Sequence, residues 1–250
     1  MERFVPYRTM TAQPDISLLA SLMGDPARSG MLDALMDGRA LTAKELAYYG
    51  GITPQTASSH LAKLAGAGLI QLEQQGRHHY YRLASPRVAE AMEAMMVLAA
   101  HRRPARRPVP QALQDMRVAR TCYDHLAGFL GVSLTGAMLQ RGLLAAHGRE
   151  FQLTPKGLAH LERLGVDVAW ARRQRRALAR QCLDWTERRV HLAGALGSAL
   201  ATRCLKLKWI ARQDEGRALR ITPAGREGFR AHFGVNLERL LQEDSAPPAS

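Results

Sequence analysis

The chain has 250 residues, 46% of them hydrophobic and 6% aromatic, with three cysteines, which suits a helix-rich, reduced cytoplasmic protein of one or two domains and excludes a disulfide framework. No apolar run approaches the roughly 20 residues that a membrane-spanning helix needs, and the N-terminus lacks the apolar core of a signal peptide. The net charge of +13 arises entirely after residue 100, where 26 basic residues stand against 13 acidic ones, and such an excess favours a polyanionic partner.

The first 50 residues predict three helices. Residues 14–36 form two of them, and the break between the two is marked by Asp25 as an N-cap and Pro26 as a first-turn proline. The third helix lies in "LTAKELAYYGG", where Thr42 and Glu45 have the spacing of a capping box. The glycine pair at the end of this stretch ends the helix.

A fourth helix follows at once in "TPQTASSHLAKLAG". Thr53 is its N-cap, and Ala57, Leu61 and Leu64 form an apolar stripe at helical spacing. The segments "LIQLEQ" and "HHYYRL" then predict a two-stranded hairpin, and a long fifth helix begins after Ser85. Polar residues occupy the other side of the fourth helix, among them Gln55, Thr56, Ser58, Ser59 and Lys63.

Three helices, a tight turn, a fourth helix, a hairpin and a last helix follow one another in the order of a winged helix-turn-helix. The motifs "LTAKELA", "ITPQTASSHLAKLAGAGLI" and "QGRHHYYRL", within residues 13–101, resemble the ArsR/SmtB family of bacterial repressors. The resemblance implies that the fourth helix enters the major groove of a double-stranded DNA operator while the hairpin touches the flanking backbone. It assigns DNA contacts to the five polar residues of the fourth helix and to Arg77 and His78 at the hairpin tip.

The fifth helix carries an apolar stripe with more surface than a small domain easily buries. The resemblance implies that the first and last helices pair across a two-fold axis, which makes residues 1–101 a DNA-binding and dimerisation domain of a homodimer. The alternative is that the stripe packs on the second half of the same chain. The predicted dimer contacts are Val88, Met92, Met95 and Met96.

The second half begins with a Pro- and Arg-rich linker, predicted over residues 102–116. A two-copy repeat over 117–244 follows, with copies at 117–167 and 177–236, and a disordered tail is predicted at 245–250. Each copy is predicted as helix, helix, short strand and a Thr-Pro-initiated helix. The predicted fold is therefore mainly α with small β-hairpins: an N-terminal winged helix-turn-helix and a C-terminal module of two winged-helix-like repeats.

The repeat module is the predicted effector-sensing part. Pseudo-symmetric copies leave a crevice at their shared axis, where an aromatic-walled site for an organic ligand or a thiol and imidazole site for a metal or a reactive electrophile would form. A structural role for these side chains is the alternative, because the C-x-D-H spacing is no established ligand pair and an insert separates the second histidine. The predicted effector residues are Cys122, Tyr123, His125, Cys182, Trp185 and His191, and no residue is assigned as a metal ligand.

The sequence has no P-loop, GxSxG, HExxH or dinucleotide motif, so no enzymatic activity and no cofactor is expected. It also lacks cysteines in the third helix, where metal-sensing members of the family carry them. We therefore expect a sequence-specific transcriptional regulator, an effector-responsive repressor with an unknown small-molecule or metal effector. The alternatives are a metal- or thiol-reactive sensor, and an architectural DNA-binding or protein-interaction protein without sequence preference.

Overall fold

A computed structural model describes residues 16–76, 78–100, 111–213 and 216–237, and of His78, Ala112 and Leu113 only the backbone. These residues form two compact units. The N-terminal unit comprises residues 16–33 and 40–84, and the C-terminal unit comprises residues 34–39 and 85–237. Among the described helices, none combines the length and the apolar character needed to cross a membrane.

The N-terminal unit is a winged helix-turn-helix built from four helices and a three-stranded sheet. Its sheet has the order β1-β3-β2, and the short first strand, which the sequence did not predict, pairs with the hairpin. The elements in chain order are α1 (Ile16–Met23), α2 (Pro26–Ala34), β1 (Leu41–Thr42), α3 (Ala43–Gly50), α4 (Pro54–Gly66), β2 (Ile70–Gln75) and β3 (His78–Leu83).

The helix starts of this unit are fixed by local hydrogen bonds, as predicted. The Thr42 hydroxyl accepts a hydrogen bond from the Glu45 backbone N–H, and the Glu45 carboxylate accepts one from the Thr42 backbone N–H at 2.7 Å. The Thr53 side chain caps α4 by accepting a hydrogen bond from the Thr56 backbone N–H, and Pro54 lies in the first turn. Between the two helices Gly51 has a φ of 64°, a left-handed conformation that glycine adopts without strain and that makes the tight turn.

The C-terminal unit opens with a 3₁₀ turn at Leu35–Asp37 and then contains two copies of one motif: hairpin, helix, hairpin, helix. Two helices precede the first copy, and α9 lies between the copies. The elements are α5 (Pro86–Ala100), α6 (Gln111–Val118), β4 (Arg120–Cys122), β5 (His125–Ala127), α7 (Gly128–Gln140), β6 (Leu144–His147), β7 (Glu150–Leu153), α8 (Pro155–Arg163), α9 (Val168–Arg172), β8 (Arg180–Leu183), β9 (Val190–Ala193), α10 (Gly194–Lys206), β10 (Ile210–Arg212), β11 (Leu219–Ile221) and α11 (Pro223–Phe233).

The first segment of each copy was predicted to be helical, and this prediction is wrong. "ARTCYDHLAG" and its counterpart at 179 form the hairpins β4–β5 and β8–β9. The physical reason is the glycine at the end of each segment: Gly128 and Gly194 have φ values of 72° and 80°, so no helix continues through them. Instead the chain turns there from a strand into α7 or α10.

Two predicted boundaries also differ from the structure. The helix α5 belongs to the C-terminal unit, so the boundary lies at Ser85 rather than at residue 101. Residues 111–116 of the predicted linker are part of α6. Residues 102–110 and the predicted tail at 245–250 lie outside the described residues.

Strands of the two copies pair with each other. Strand β8 of the second copy pairs with β7 of the first at Glu150 and Arg180, which joins both hairpins into the four-stranded sheet β6-β7-β8-β9. A bridge between Arg120 and Ala218 joins β4 of the first copy to the region of β11 in the second in the corresponding way. One hydrophobic core therefore contains side chains of both copies, among them Leu130, Leu196 and Phe229.

Candidate functional site

Helix α4 presents a polar face to solvent. Ala57, Leu61 and Leu64 are buried, as the apolar stripe predicts. The predicted DNA-contacting residues of the helix are all exposed: Gln55, Thr56, Ser58, Ser59 and Lys63.

The polar side chains of α4 differ in how far they are free to bind a partner. The Thr56 hydroxyl lies 3.0 Å from the Thr53 hydroxyl, and the Ser58 hydroxyl donates to the Pro54 carbonyl at 3.0 Å, so both are engaged within the helix start. In the described part of the chain, the side chains of Gln55 and Ser59 make no hydrogen bond. Their donors and acceptors are therefore available for a partner such as a base edge.

The hairpin β2–β3 forms the wing, and Gln75 pairs with His78 at its end. Arg77 at the tip lies outside the described residues, as does the side chain of His78. Their predicted contacts with the DNA backbone stay predictions. At the other end of the wing, Arg82 and Glu73 form an exposed ion pair at 2.8 Å.

The apolar stripe of α5 packs mainly within the C-terminal unit. Met92 is 6% exposed, and the Met96 sulfur lies 3.4 Å from the Arg217 guanidinium. Of the four predicted dimer residues, only Met95 is exposed, and Leu98 is exposed beside it. For Met92 and Met96 the structure therefore favours the alternative, packing on the second half of the chain.

Four of the predicted effector residues converge on one point between the copies. Cys122 and His125 are cross-strand partners in the hairpin β4–β5, and Cys182 and His191 are cross-strand partners in β8–β9. The four ligand atoms lie within 4.8 Å of one another, and all four side chains are buried. The insert that separates the second histidine in sequence only lengthens the turn of its hairpin, so the Cys–His pairing is the same in both copies.

The distances within this Cys/His cluster are short. The two Nε2 atoms of His125 and His191 lie 3.1 Å apart, and the two sulfurs of Cys122 and Cys182 lie 3.9 Å apart. Each Nδ1 faces a carboxylate: that of His125 is 3.4 Å from Asp124, and that of His191 is 3.7 Å from the second-copy aspartate. The Nε2 atoms and the sulfurs therefore face the centre of the cluster, and each Nδ1 faces a carboxylate outside it.

The titration of the cluster reflects its burial and its internal hydrogen bonds. Burial raises the pKa of the Cys122 thiol well above its usual value. The hydrogen bond with Cys122, followed by those with His125 and His191, lowers the pKa of Cys182. Burial lowers the pKa of His125, but hydrogen bonds with Asp124 and Cys182 outweigh burial and raise it to about 9. Cys182 is therefore the thiol that its neighbours favour as a thiolate.

Asp184 holds the second hairpin and the start of α7 together. Its carboxylate accepts hydrogen bonds from the Arg120 guanidinium at 3.0 Å, from the Gly128 backbone N–H at 2.7 Å and from the Thr186 hydroxyl at 2.6 Å. Burial raises the pKa of Asp184, but the charges of Arg120 and His191 outweigh burial and lower it to about 2. The carboxylate is therefore ionised and fixed in place beside the imidazole of His191.

The two aromatic residues of the predicted effector set lie beside the cluster rather than in it. Tyr123 occupies the turn of β4–β5 with a φ of 59°, and its backbone N–H donates to the Met36 carbonyl. The Trp185 ring lies under the Arg120 guanidinium at 4.8 Å, an attractive cation–π geometry. Both residues therefore support the hairpins that carry the cysteines and histidines.

Two spaces border the cluster. At the shared axis the copies enclose a cavity of only about 10 Å³, lined by matched pairs such as Leu126 with Leu192 and Gly131 with Gly197, which holds at most one water molecule. The predicted crevice for an organic ligand is thus filled at that place. A larger cleft of about 810 Å³ lies between α5 and the strands β8 and β9 and reaches Cys182.

Comparison with known proteins identifies the chain. Residues 23–73 match the family model described as a helix-turn-helix domain. The chain is 44% identical over 224 residues to YdfF of Bacillus subtilis strain 168, named as an uncharacterised HTH-type transcriptional regulator, and the match covers 90% of this chain and 99% of that protein. The chain belongs to the HTH-type transcriptional regulators. It is a DNA-binding transcriptional regulator, which confirms this part of the function predicted from its motifs.

Other matches cover about a third of the regulator. The HTH-type transcriptional regulator CmtR of Mycobacterium tuberculosis is 35% identical over 77 residues, which are 31% of this chain and 64% of that protein. A homodimeric winged helix-turn-helix domain from Mycobacterium bovis, Mb0332, described as a possible ArsR-family regulator, is 26% identical with a TM-score of 0.31 and covers 36% of this chain and 90% of that domain. A solution structure of CmtR from Mycobacterium tuberculosis, named as a cadmium sensor, is 31% identical with a TM-score of 0.30. The match covers 38% of this chain and 96% of that one. At such low TM-scores neither structure informs the assembly or ligand of this regulator.

Two buried residues of the regulator were missed in the sequence. Glu93 of α5 accepts a hydrogen bond from Arg217 at 3.0 Å, and both side chains are almost fully buried. Arg120 of β4 pairs with Asp184 at 3.0 Å, and both side chains are fully buried. A polar residue inside the apolar stripe of α5 was the available signal for Glu93, because buried charges in proteins are paired.

Proposed function

We propose that the regulator binds a specific DNA operator as a homodimer in the reducing cytoplasm, represses transcription without catalysing a reaction, and is released by an effector of its C-terminal unit. The exposed polar face of α4, where Gln55 and Ser59 make no side-chain hydrogen bond within the described residues, carries the DNA-reading part of this proposal. Amide and hydroxyl groups on such a helix can read base edges in the major groove, while Lys63 suits a phosphate. The ArsR-like use of the wing and the winged-helix-like character of the two repeats belong to the same proposal.

The test of sequence-specific reading starts from operator selection. The full-length protein selects its preferred sequence from a random duplex library, and its affinity for that sequence is compared with its affinity for random duplex. We expect a specificity ratio of about 10³ or more. A ratio near one would instead identify an architectural protein that coats DNA without sequence preference.

Replacing Gln55 or Ser59 by alanine is expected to weaken binding to the selected operator by about 1–3 kcal/mol each, because each loses hydrogen bonds to base edges. Binding to random duplex is expected to stay unchanged. Lys63→Ala is the matched control on the same helix. It should weaken binding to the operator and to random duplex alike, and reduce the salt dependence of binding by about one released counterion. Equal losses on both DNAs for Gln55→Ala and Ser59→Ala would contradict base reading.

The dimer part of the proposal rests on exposed apolar side chains at the first and last helices of the predicted reader. Ile16 and Leu18 of α1 are 76% and 54% exposed, and Leu98 of α5 is 69% exposed. A second copy of the chain is the partner that a two-fold operator requires, because two readers must be linked at a half-site spacing of one DNA turn.

Met95→Glu combined with Leu98→Glu is expected to shift sedimentation toward monomer and to weaken operator binding, because a charge in an apolar interface is costly. Arg87→Glu, an exposed residue at the start of the same helix, is the control for a change of charge alone. Analytical ultracentrifugation measures the outcome. A double variant that sediments as the wild type does would show that the partner surface lies elsewhere.

A further inference from the structure

We propose that Cys122, His125, Cys182 and His191 together bind one thiophilic divalent metal ion of the zinc class. Two thiolates and two imidazoles are a common ligand set for such an ion, with bond lengths of about 2.3 Å to sulfur and about 2.0–2.1 Å to nitrogen. A tetrahedron of these bonds has edges of about 3.8 Å between sulfurs and about 3.3 Å between nitrogens. The observed edges are 3.9 Å and 3.1 Å, so the sulfur pair and the nitrogen pair each already have the spacing of a metal-bound set, and all four atoms lie within 4.8 Å of one another.

The orientation of the two imidazoles supports the same assignment. Both Nε2 atoms point at each other, and a metal between the four ligands would use the lone pair of each. Both rings then keep their proton on Nδ1, where Asp124 and Asp184 face them at 3.4 Å and 3.7 Å. Carboxylates in this position orient histidine ligands in metal sites. In the described structure the buried Nδ1 of His191 makes no hydrogen bond, and a small shift of the ring on metal binding would bring it to Asp184.

The frame of the site is built by the repeat. Each hairpin brings one cysteine and one histidine as cross-strand partners, and each histidine packs over a glycine in the helix of the other copy. An added Cβ on Gly197 would lie 3.1 Å from His125, and one on Gly131 would lie 3.7 Å from His191. Four buried protein ligands leave no open coordination position, which indicates a structural or sensing ion rather than a catalytic one.

The site is also connected to α5, the helix that follows the wing in the chain. The cleft lined by Glu90 and Glu93 of α5 reaches Cys182 and provides a path to the ligands. We therefore expect metal occupancy to alter the affinity for the operator, since the ligand hairpins and α5 share one unit. This expectation rests on the proposed DNA-reading function.

Metal binding is tested directly on the reduced full-length protein. The protein is treated with a chelator, desalted and titrated with Zn²⁺, and bound metal is counted by elemental analysis. Co²⁺ is titrated in parallel, because thiolate ligands produce intense sulfur-to-cobalt charge-transfer bands. We expect one ion per chain and a tetrahedral thiolate spectrum for the wild type.

Cys204 supplies a matched control, since it is the third cysteine of the chain and is fully buried in α10 away from the cluster. Cys204→Ala should bind the ion as the wild type does. Cys122→Ala and Cys182→Ala should each lower the affinity by more than the roughly 10–100-fold that the loss of an outer carboxylate causes. Far-UV circular dichroism reports whether each variant is folded. The Co²⁺ spectrum of the wild type tests thiolate ligation independently of any variant.

The proposal is overturned if the reduced wild type retains no Zn²⁺ and gives no charge-transfer bands, or if Cys204→Ala loses binding as Cys182→Ala does. A disulfide between Cys122 and Cys182 that persists under reducing conditions, found by thiol counting, would overturn it as well. The regulatory consequence has its own readout: operator affinity with and without Zn²⁺. A change above about fivefold supports regulation, and an unchanged affinity overturns that consequence while metal binding and DNA reading are each judged by their own measurements.

Discussion

Asp184→Ala is expected to lower the free energy of unfolding of the C-terminal unit by about 3–5 kcal/mol, because it leaves the buried charge of Arg120 without its partner. Both side chains are fully buried and lie 3.0 Å apart. The same carboxylate also accepts the Gly128 backbone N–H at the start of α7, so its removal leaves that donor unsatisfied as well. Urea denaturation of the chelator-treated protein, followed by tryptophan fluorescence, measures the loss without a contribution from metal.

Asp124→Ala is the control that the repeat provides, since Asp124 is the equivalent residue of the first copy. Its carboxylate pairs with Arg176, and both side chains are partly exposed to solvent. Solvent screens such a pair, so we expect a loss of about 1 kcal/mol or less. Similar losses for the two aspartates would show that the buried network around Asp184 does not carry the stability assigned to it.

The N-terminal unit was predictable because its signals are local. Thr42 with Glu45 and Thr53 with Pro54 fix two helix starts within three or four residues of sequence, and both caps are present. The stripe of Ala57, Leu61 and Leu64 follows from helical spacing alone. The strand β1 was missed because two residues give no periodicity, and its pairing with β3 depends on a segment about 40 residues away.

The C-terminal unit was predictable as a repeat but not in its elements. Matching segments showed two copies, and their cysteines and histidines suggested a shared site. The hairpins were mistaken for helices, because their strands of three or four residues are too short to show an alternating pattern. The insert before His191 concealed the cross-strand partnership with Cys182, which depends on register rather than on distance along the chain.

Long-range charge pairs were beyond the reach of sequence patterns. Arg120 and Asp184 are 64 residues apart, and Glu93 and Arg217 are 124 residues apart. In the sequence, Glu93 is one acidic residue in an apolar helix, and this pattern does not indicate which basic residue pairs with it. For the same reason α5 was assigned to the N-terminal domain: its methionines predicted an apolar partner surface, and the buried ion pair is one of the contacts by which this surface belongs to the C-terminal unit.

The second large expected effect concerns this ion pair, which fixes α5 to the rest of the C-terminal unit. Glu93→Ala should lower the free energy of unfolding by about 3–5 kcal/mol, because Arg217 would keep its charge in an apolar environment without the carboxylate. Chemical denaturation of the metal-free protein measures this value. Glu90→Ala is the control one turn earlier in α5: Glu90 pairs with Arg180, both residues are about one-third exposed, and we expect a loss below about 1 kcal/mol.

A double variant separates the charge from the packing at this position. Glu93→Leu combined with Arg217→Met replaces both charges by apolar side chains of similar volume, and such replacements of buried ion pairs are often neutral or stabilising. We therefore expect the double variant to recover most of the stability that Glu93→Ala loses. If it is as unstable as Glu93→Ala, the hydrogen bond itself holds α5 in place. If Glu93→Ala lowers the free energy of unfolding no more than Glu90→Ala does, α5 is held by its apolar stripe and not by this ion pair.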